Sequence, residues 1–259
     1  MLLEVKDLNI SLTSEKSVAE HISFRLGQGE MLSIVGSSGA GKTTICKAIM
    51  GLLGNTYRAD GEILFQGEDL LDLPERKRQT IYGKEICLIM QNPMTAFNPS
   101  IRVGRQMEKT YLLHHGKTPR QEMQRLFAAI LQKLGLEDTQ RILNSYPFTL
   151  SGGMLQRLMI AAALMCQPAL LVADEATTAI DACNRIGLMR ELKSFCKDGM
   201  SVLFVTHDLR SASASDRILV MDRGQIVEQG KTEQILNTPK EDYTKYLLNA
   251  CRLERREMS

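Results

Sequence analysis

The chain has 259 residues, of which 44% are hydrophobic and 24% are charged, and its formal net charge is +2. This composition is ordinary for a globular protein with a large core, and the near balance of charge gives no reason to expect nucleic acid as a partner. No apolar run approaches the roughly 18 residues that a membrane-spanning helix needs. The first residues, 1–7, carry charge too early for a signal peptide, so we expect a soluble protein that acts at a membrane only through partners.

Cysteine and histidine give no sign of a metal centre. The six cysteines include no C-x-x-C pair and no zinc-type spacing, and most lie in apolar runs, which predicts buried thiols in a reducing cytosol. The pair His114-His115 has no further ligand at a useful spacing, so we expect it to be solvated.

Strand patterns dominate the first part of the chain. Residues 2–35 alternate between apolar and polar side chains or run apolar, which predicts strands with turns at 13–16 and 27–29. Residues 61–67 predict another short strand bounded by glycines, and the apolar segment 86–90 predicts a buried one.

A phosphate-binding loop follows the strand predicted at 31–35. Residues 36–43 read G-S-S-G-A-G-K-T, which fits G-x-x-x-x-G-K-[ST], and a helical pattern opens after them. Glycine turns direct backbone N–H groups onto phosphate oxygens, and the positive end of the next helix points at the same place. Lys42 is expected to reach the β- and γ-phosphates and the Thr43 hydroxyl to ligate Mg²⁺; the alternative is a chance glycine turn. The predicted nucleotide contacts are Gly36, Ser37, Ser38, Gly39, Ala40, Gly41, Lys42, Thr43 and Thr44.

The character of the chain changes after Gln91. This glutamine follows a predicted strand, where its amide is suited to contact the water shell of a metal ion. From Pro93 to about Gln167 β-branched runs thin out and the apolar side chains recur with helical period. We therefore predict a helical subdomain, 93–167, inserted between two segments of one core, 1–92 and 168–259.

A second glycine-containing loop lies inside the helical part. Leu150-Ser-Gly-Gly153 precedes a helical pattern, so its backbone N–H groups form another potential anion site. Ser151 is suited both to cap the helix and to donate to a phosphate, with Gly152 and Gly153 beside it. The alternative is a plain helix cap with a tight turn.

Two later apolar strands end in polar residues. Residues 170–173 lead into Asp174-Glu175, which predicts an acid that holds Mg²⁺ and, one residue further out, a base that polarises water; acids at a helix N-terminus are the alternative. The strand at 202–205 leads to His207, which is suited to hydrogen-bond the γ-phosphate and to hold Glu175. A strand pair around residues 222–224 predicts a hairpin, and residues 243–256 predict a helix.

These motifs together resemble the ATP-binding subunits of ABC transporters over nearly the whole chain. The resemblance implies an α/β fold: a RecA-like P-loop NTPase core, an N-terminal antiparallel β subdomain and an inserted helical subdomain. It also implies an ATPase that uses ATP and Mg²⁺, with Glu175, His207 and Lys42 as catalytic residues and Thr43, Gln91 and Asp174 at the metal. In such dimers the loop at 151–153 of one subunit faces the phosphate loop of the other, and Asp181 lies at the interface between them.

The resemblance extends to one subgroup. Met90-Gln-Asn-Pro-Met-Thr-Ala-Phe-Asn-Pro99, Tyr146-Pro-Phe148 and Met154 are similar to the dipeptide, oligopeptide and nickel uptake group. The end of the chain soon after Tyr243 most resembles the nickel-type subunits, including those that serve metal–metallophore uptake. The implied partners are a second ATP-binding subunit, more often a different chain than a copy, two membrane permease subunits and, indirectly, an extracytoplasmic solute-binding protein. The implied location is the cytoplasmic face of the membrane. Met94, Phe97 and Pro99 either contact the permease or pack internally.

Three positions depart from the family pattern. Leu12 stands where an aromatic residue usually stacks on adenine, so it offers only apolar contact. Ala176 replaces a proline after the acidic pair, which is expected to loosen the turn. Ile180 replaces a leucine, which is a mild change. A di- or oligopeptide importer ATPase is the alternative within the subgroup. A weakly hydrolysing regulatory subunit and a soluble ABC ATPase acting on DNA or ribosomes are the alternatives of another class.

Overall fold

A computed structural model gives the fold of residues 1–176 and 182–257, with side chains described outside 182–184 and 252–257. The strands are β1 (Leu3–Leu12), β2 (Ser17–Leu26), β3 (Met31–Val35), β4 (Tyr57–Phe65), β5 (Glu68–Asp69), β6 (Ile86–Ile89), β7 (Leu170–Asp174), β8 (Ser201–Thr206), β9 (Arg217–Asp222) and β10 (Gln225–Lys231). The helices are α1 (Lys42–Ile49), α2 (Glu75–Ile81), α3 (Val103–His115), α4 (Arg120–Lys133), α5 (Thr139–Asn144), α6 (Gly152–Met165), α7 (Ala182–Lys197), α8 (Leu209–Ala212), α9 (Thr232–Asn237) and α10 (Asp242–Glu257). Short 3₁₀ turns lie at Pro93–Thr95 and Pro147–Thr149.

The N-terminal strands form an antiparallel sheet with the order β2-β1-β4-β5. The expected strand at 61–67 is wrong in its bounds, because β4 begins at Tyr57 and ends at Phe65. Gly61 lies inside the strand rather than at its edge. It has a φ of 110°, and a Cβ there would lie 2.5 Å from the carbonyl oxygen of Asp7 on β1. The glycine therefore serves a close approach beside the irregular register of β1, which a pattern of turn residues does not distinguish from a strand boundary.

The second sheet has six strands in the order β10-β9-β3-β8-β7-β6. All neighbours are parallel except β10, which forms the predicted hairpin with β9. β3 is buried along its whole length, as expected for a strand covered on both faces. Because parallel strands end at one edge, the segments that follow β3, β8, β7 and β6 meet there. This sheet carries the P-loop NTPase core that the motifs predicted.

Two large hydrophobic clusters cover the two faces of this sheet. One contains Leu32, Ile34, Ile45 and Leu203 and joins β3 and β8 to α1 and to the antiparallel sheet. The other contains core residues such as Phe204 together with buried side chains of α3 to α6. The helical part thus shares its interior with the sheet and has no separate core; its boundaries at 93 and 167 stay a prediction.

The cysteines fit the expectation of buried thiols where their side chains are described. Cys46, Cys87, Cys166 and Cys196 are buried and free, and Cys251 is half-buried. Burial raises the pKa of Cys196 to about 11, so this thiol is protonated at neutral pH.

The expected solvation of the histidine pair holds for His115, which is exposed, whereas His114 is half-buried. His115 stacks on Tyr111 with ring centroids 4.3 Å apart, and its Nε2 lies 3.0 Å from the carbonyl oxygen of Met165. Burial lowers the pKa of His114. Among the described residues no group of three or more metal-ligating side chains could hold an ion, and no helix is long and apolar enough to cross a membrane.

Candidate functional site

The phosphate loop leaves β3 at Gly36 and enters α1 at Lys42. Gly41 caps α1 with a φ of 96°, a left-handed conformation that favours glycine. The loop is closed on itself, since Lys42 Nζ donates to the carbonyl oxygens of Gly36 (2.8 Å) and Ser37 (2.7 Å). Burial lowers the pKa of Lys42, while the charges of Glu175 and Asp174 oppose that shift. The Lys42 side chain is therefore hydrogen-bonded within the loop, close enough to Asp174 and Glu175 at the end of β7 to interact with their charges.

Asp174 lies beside the first turn of α1. The Thr43 hydroxyl donates to its Oδ1 at 3.1 Å, although the two residues are 131 positions apart in the chain. Burial raises the pKa of Asp174, and the hydrogen bond from Thr43 partly offsets that effect. A hydroxyl and a carboxylate at this spacing are oxygen donors of the kind that Mg²⁺ takes.

Glu175 sits one residue beyond the strand, between Gln91 and His207. Gln91 Nε2 donates to Glu175 Oε2 at 2.7 Å, and His207 Nδ1 lies 3.3 Å from Glu175 Oε1. The Glu175 backbone has a φ of 48°, and its N–H donates to the carbonyl oxygen of Val205 at 2.9 Å. Ala176 is fully buried, and the turn after it, which we expected to be loosened, lies outside the described residues.

The segment after His207 is fixed by a contact that the sequence did not predict. Asp208 caps α8 by accepting from the Arg210 N–H at 2.9 Å, and it also pairs with Arg185 of α7 at 3.1 Å. Burial alone would raise the pKa of Asp208, but these bonds and one from Ser211 outweigh it and the pKa lies below its ordinary value. Arg185 is 23 residues away on another helix, so no local motif signals the pair.

The remaining predicted residues lie apart from this edge or outside the description. Ser151 caps α6 by accepting from the Met154 N–H at 3.3 Å. In the described part of the chain no hydrogen bond joins residues 151–153 to the phosphate loop. Leu12 is half-buried at the end of β1, in the hairpin whose Val18 carbonyl approaches Gly41. Asp181 lies outside the described residues.

A family comparison decides what this arrangement belongs to. The profile described as "ABC transporter" matches residues 19–178. The chain belongs to the ABC transporter family. The metal-staphylopine import system ATP-binding protein CntD of Staphylococcus aureus strain Mu50 is 41% identical over 251 residues, which cover 96% of this chain and 92% of the relative. The oligopeptide transport ATP-binding protein OppD of Bacillus subtilis is 41% identical over 254 residues, which cover 95% of this chain and 71% of the relative.

Solved structures agree with this assignment. The ABC cassette MJ0796, in a post-hydrolysis dimer bound to ADP and Pi, superposes with a TM-score of 0.79 at 27% identity, over 89% of this chain and 99% of that one. The cassette cbiO1 of Clostridium perfringens has a TM-score of 0.80 at 22% identity, over 99% of this chain and 96% of that one, and shows the fold alone. The chain is thus an ABC-type ATPase that binds ATP. The fold and the family that the motifs predicted are confirmed.

Proposed function

We propose that this chain is the ATP-hydrolysing subunit of an importer and that its own site turns over. The observation that carries the proposal is the placement of Glu175 between Gln91 and His207, at the sheet edge where the phosphate loop also begins. A carboxylate held between two side chains stays positioned to accept a proton from water, which is the role of a general base.

Each step that ATP hydrolysis needs has a candidate residue at this edge of the sheet. Lys42 is expected to leave the carbonyls of the loop and reach the phosphates, where its charge stabilises the charge that develops on transfer. His207 is expected to orient Glu175 and contact the γ-phosphate. Thr43, Asp174 and Gln91 would hold Mg²⁺, because hydroxyl, carboxylate and amide oxygens suit this hard cation. Magnesium supplies neutralisation of phosphate charge when it is bound.

We propose that the loop at Ser151-Gly152-Gly153 faces a second ATP-binding subunit. It begins α6 in the helical part, where Ser151 caps the helix. We propose that this loop, with Asp181, completes the nucleotide site of a partner subunit, which is a different chain rather than a copy. The adenine would lie against Leu12 of the β1–β2 hairpin.

An exposed apolar patch fits a helix of a membrane permease. The patch consists of Ile101, Tyr146 and Phe148 around Arg102, with Tyr146 and Phe148 stacked at 5.6 Å and Arg102 over the Tyr146 ring at 5.9 Å. Met94, on the turn after Gln91, adds a side chain that is 54% exposed. Phe97 is buried in the core and is assigned to internal packing instead. We propose two permease subunits and a location at the cytoplasmic face of the membrane, which similarity to importer ATP-binding proteins supports.

The cargo that we propose is a transition metal or a metal–metallophore complex, with nickel as one candidate. Similarity to a metal-staphylopine import protein supports it, and similarity to OppD keeps a peptide cargo as the second candidate. Uptake of radiolabelled nickel, with and without a metallophore, against a labelled dipeptide in cells that carry the transporter would decide between them. Uptake of the dipeptide alone would reject the metal assignment.

The catalytic assignment is tested by Glu175→Gln in the assembled complex with the second ATP-binding subunit and the permeases. Loss of the base should lower the ATPase rate by about 10²-fold or more, with ATP affinity retained. Glu233→Gln, on the exposed side of α9, is the matched control and should leave the rate unchanged. If the rate of the Glu175→Gln complex equals that of wild type, this site does not turn over and the subunit only senses nucleotide.

The docking assignment is tested by Phe148→Ser. The permease should co-purify with wild type but not with this variant, while ATP binding by the isolated chain stays the same. Leu113→Ser, on α3, is the control because Leu113 is 73% exposed and lies outside the patch. Equal permease recovery with both variants would move the docking surface elsewhere.

A further inference from the structure

The C-terminal helix α10 reaches back to the phosphate loop. The backbone N–H of Ser37 donates to the hydroxyl oxygen of Tyr243 at 3.1 Å, across 206 residues of sequence. Tyr243 lies in the first turn of α10 and is half-buried. The contact thus joins the second residue of the loop to the last helix of the chain.

The backbone of Ser37 takes part in three hydrogen bonds that hold the phosphate loop. Its carbonyl oxygen accepts from Lys42 Nζ at 2.7 Å and from the Ala40 N–H at 3.2 Å. Its N–H donates to the Tyr243 hydroxyl oxygen, so both backbone polar groups of Ser37 are hydrogen-bonded. When Lys42 turns to the nucleotide, the bond from Lys42 is lost, whereas the bond to Tyr243 does not involve the lysine. While Tyr243 accepts from the Ser37 N–H, this group is not available to a phosphate oxygen, so the predicted contact of Ser37 with nucleotide would use another atom. The tyrosine can therefore hold the loop both without nucleotide and when Lys42 contacts the nucleotide.

Tyr243 is itself held in place by the start of α10. The carboxylate of Glu228 on β10 accepts from the N–H groups of Lys240 (2.9 Å) and Glu241 (3.2 Å), just before the helix begins. A carboxylate at this end of a helix is stabilised by the helix dipole. Burial alone would raise the pKa of Glu228, but hydrogen bonding outweighs it, so the pKa is lowered and the cap is ionised at neutral pH.

Packing fixes the same helix against the strand that leads into the loop. Tyr243 and Leu247 pack onto a hydrophobic cluster that includes Val35, the residue directly before Gly36. Arg210 of α8 donates to the carbonyl oxygen of Cys251, so α10 is also bonded in its second half to the helix that follows His207. The hydroxyl of Tyr243 is thus presented to Ser37 by a helix with little freedom to move.

We propose that Tyr243 is a positioning residue of the nucleotide site: its hydroxyl fixes the Ser37 N–H and so presets the phosphate loop for the triphosphate. The proposal rests on the proposed role of residues 36–44 in ATP binding. Tyr243 touches no reacting atom, so its effect should appear in nucleotide affinity and in loop protection rather than in the chemical step.

The test compares Tyr243→Phe with Tyr246→Phe in the full chain. Both changes remove one hydroxyl, and Tyr246 stacks on Tyr243 with centroids 6.5 Å apart but is 67% exposed, which makes it a matched control. The first readout is the Kd of a fluorescent ATP analogue. Loss of one neutral hydrogen bond should weaken binding by about three- to tenfold in Tyr243→Phe and leave Tyr246→Phe at the wild-type value. The second readout is hydrogen exchange of the Ser37 amide without nucleotide, which should be faster only in Tyr243→Phe.

Thermal unfolding separates positioning from simple loss of structure. We expect both variants to unfold near the wild-type temperature, because each keeps its aromatic ring. An unchanged Kd and unchanged Ser37 exchange in Tyr243→Phe would overturn the proposal, and so would equal losses in the two variants. Lys42→Ala tests the assumption beneath it: if that variant still binds ATP normally, the nucleotide site itself is misassigned, whatever the tyrosines do.

Discussion

Replacing Gly36 by alanine should damage both the fold and the nucleotide site. A Cβ at this position would lie 2.2 Å from the carbonyl oxygen of Met221, whereas real contacts of this kind are at least 3.0 Å. The end of β3 must therefore move away from β9 by at least 3.0 − 2.2 = 0.8 Å. The two strands are paired directly before this point, through Val35 and Val220, so the movement strains the ladder. We expect a loss of about 3 kcal/mol of unfolding free energy, at the upper end of overpacking costs.

Gly39→Ala is the matched control within the same loop. Gly39 has a φ of +85°, but a Cβ there meets nothing within 4 Å. Its cost is limited to backbone strain, about 1–2 kcal/mol for one residue in this conformation. Urea unfolding followed by circular dichroism gives both free energies, and the ATP analogue reports the site. A Gly36→Ala protein as stable as Gly39→Ala would refute the argument from the Met221 contact.

Three further changes test other parts of the structure. Phe204→Ala empties a fully buried position on β8 and should cost about 3–5 kcal/mol by chemical denaturation; a loss under about 1 kcal/mol would contradict the packing described. Asp208→Asn should lower stability at pH 6. Because the folded pKa of Asp208 is depressed, its contribution is present above the unfolded pKa and is lost as the pH falls through the folded pKa, so the gap to wild type should close progressively below about pH 4. Thr43→Ala should weaken ATP binding about tenfold with Mg²⁺ and far less with EDTA; equal losses in both buffers would place Thr43 outside the metal site.

The sequence predicted what depends on local patterns. The glycine loop, the apolar strands and the polar residue after each strand predicted a P-loop core, because the ends of parallel strands must meet at one edge. That reasoning correctly anticipated that Asp174 lies beside the phosphate loop and that His207 lies next to Glu175. The hydrogen bond from Gln91 to Glu175 was not predicted, because the sequence pointed Gln91 only to the water shell of a metal ion. The assigned roles of these residues stay predictions.

Contacts between distant segments could not be predicted in the same way. Nothing around Tyr243 or Arg185 indicates a partner, since each contact depends on how a late helix packs against an earlier loop. The start of β4 was missed because Gly61 serves a close approach. The stacking of the exposed His115 on Tyr111, one turn earlier in α3, was also not predicted. Of the apolar residues after Gln91, only the packing tells Phe97, which is buried, from Met94, which is exposed.

The interior that the sheet shares with the helical part has a consequence for motion. Any rotation of the helical part toward a partner subunit must slide side chains past one another, because the described residues of the helical part and of the sheet pack into one cluster. Half of the chain's 14 methionines lie in this cluster: Met31, Met107, Met123, Met159, Met165, Met189 and Met200. Unbranched thioether side chains repack at low cost, so the side chains of this cluster can rearrange during such a motion without opening a cavity.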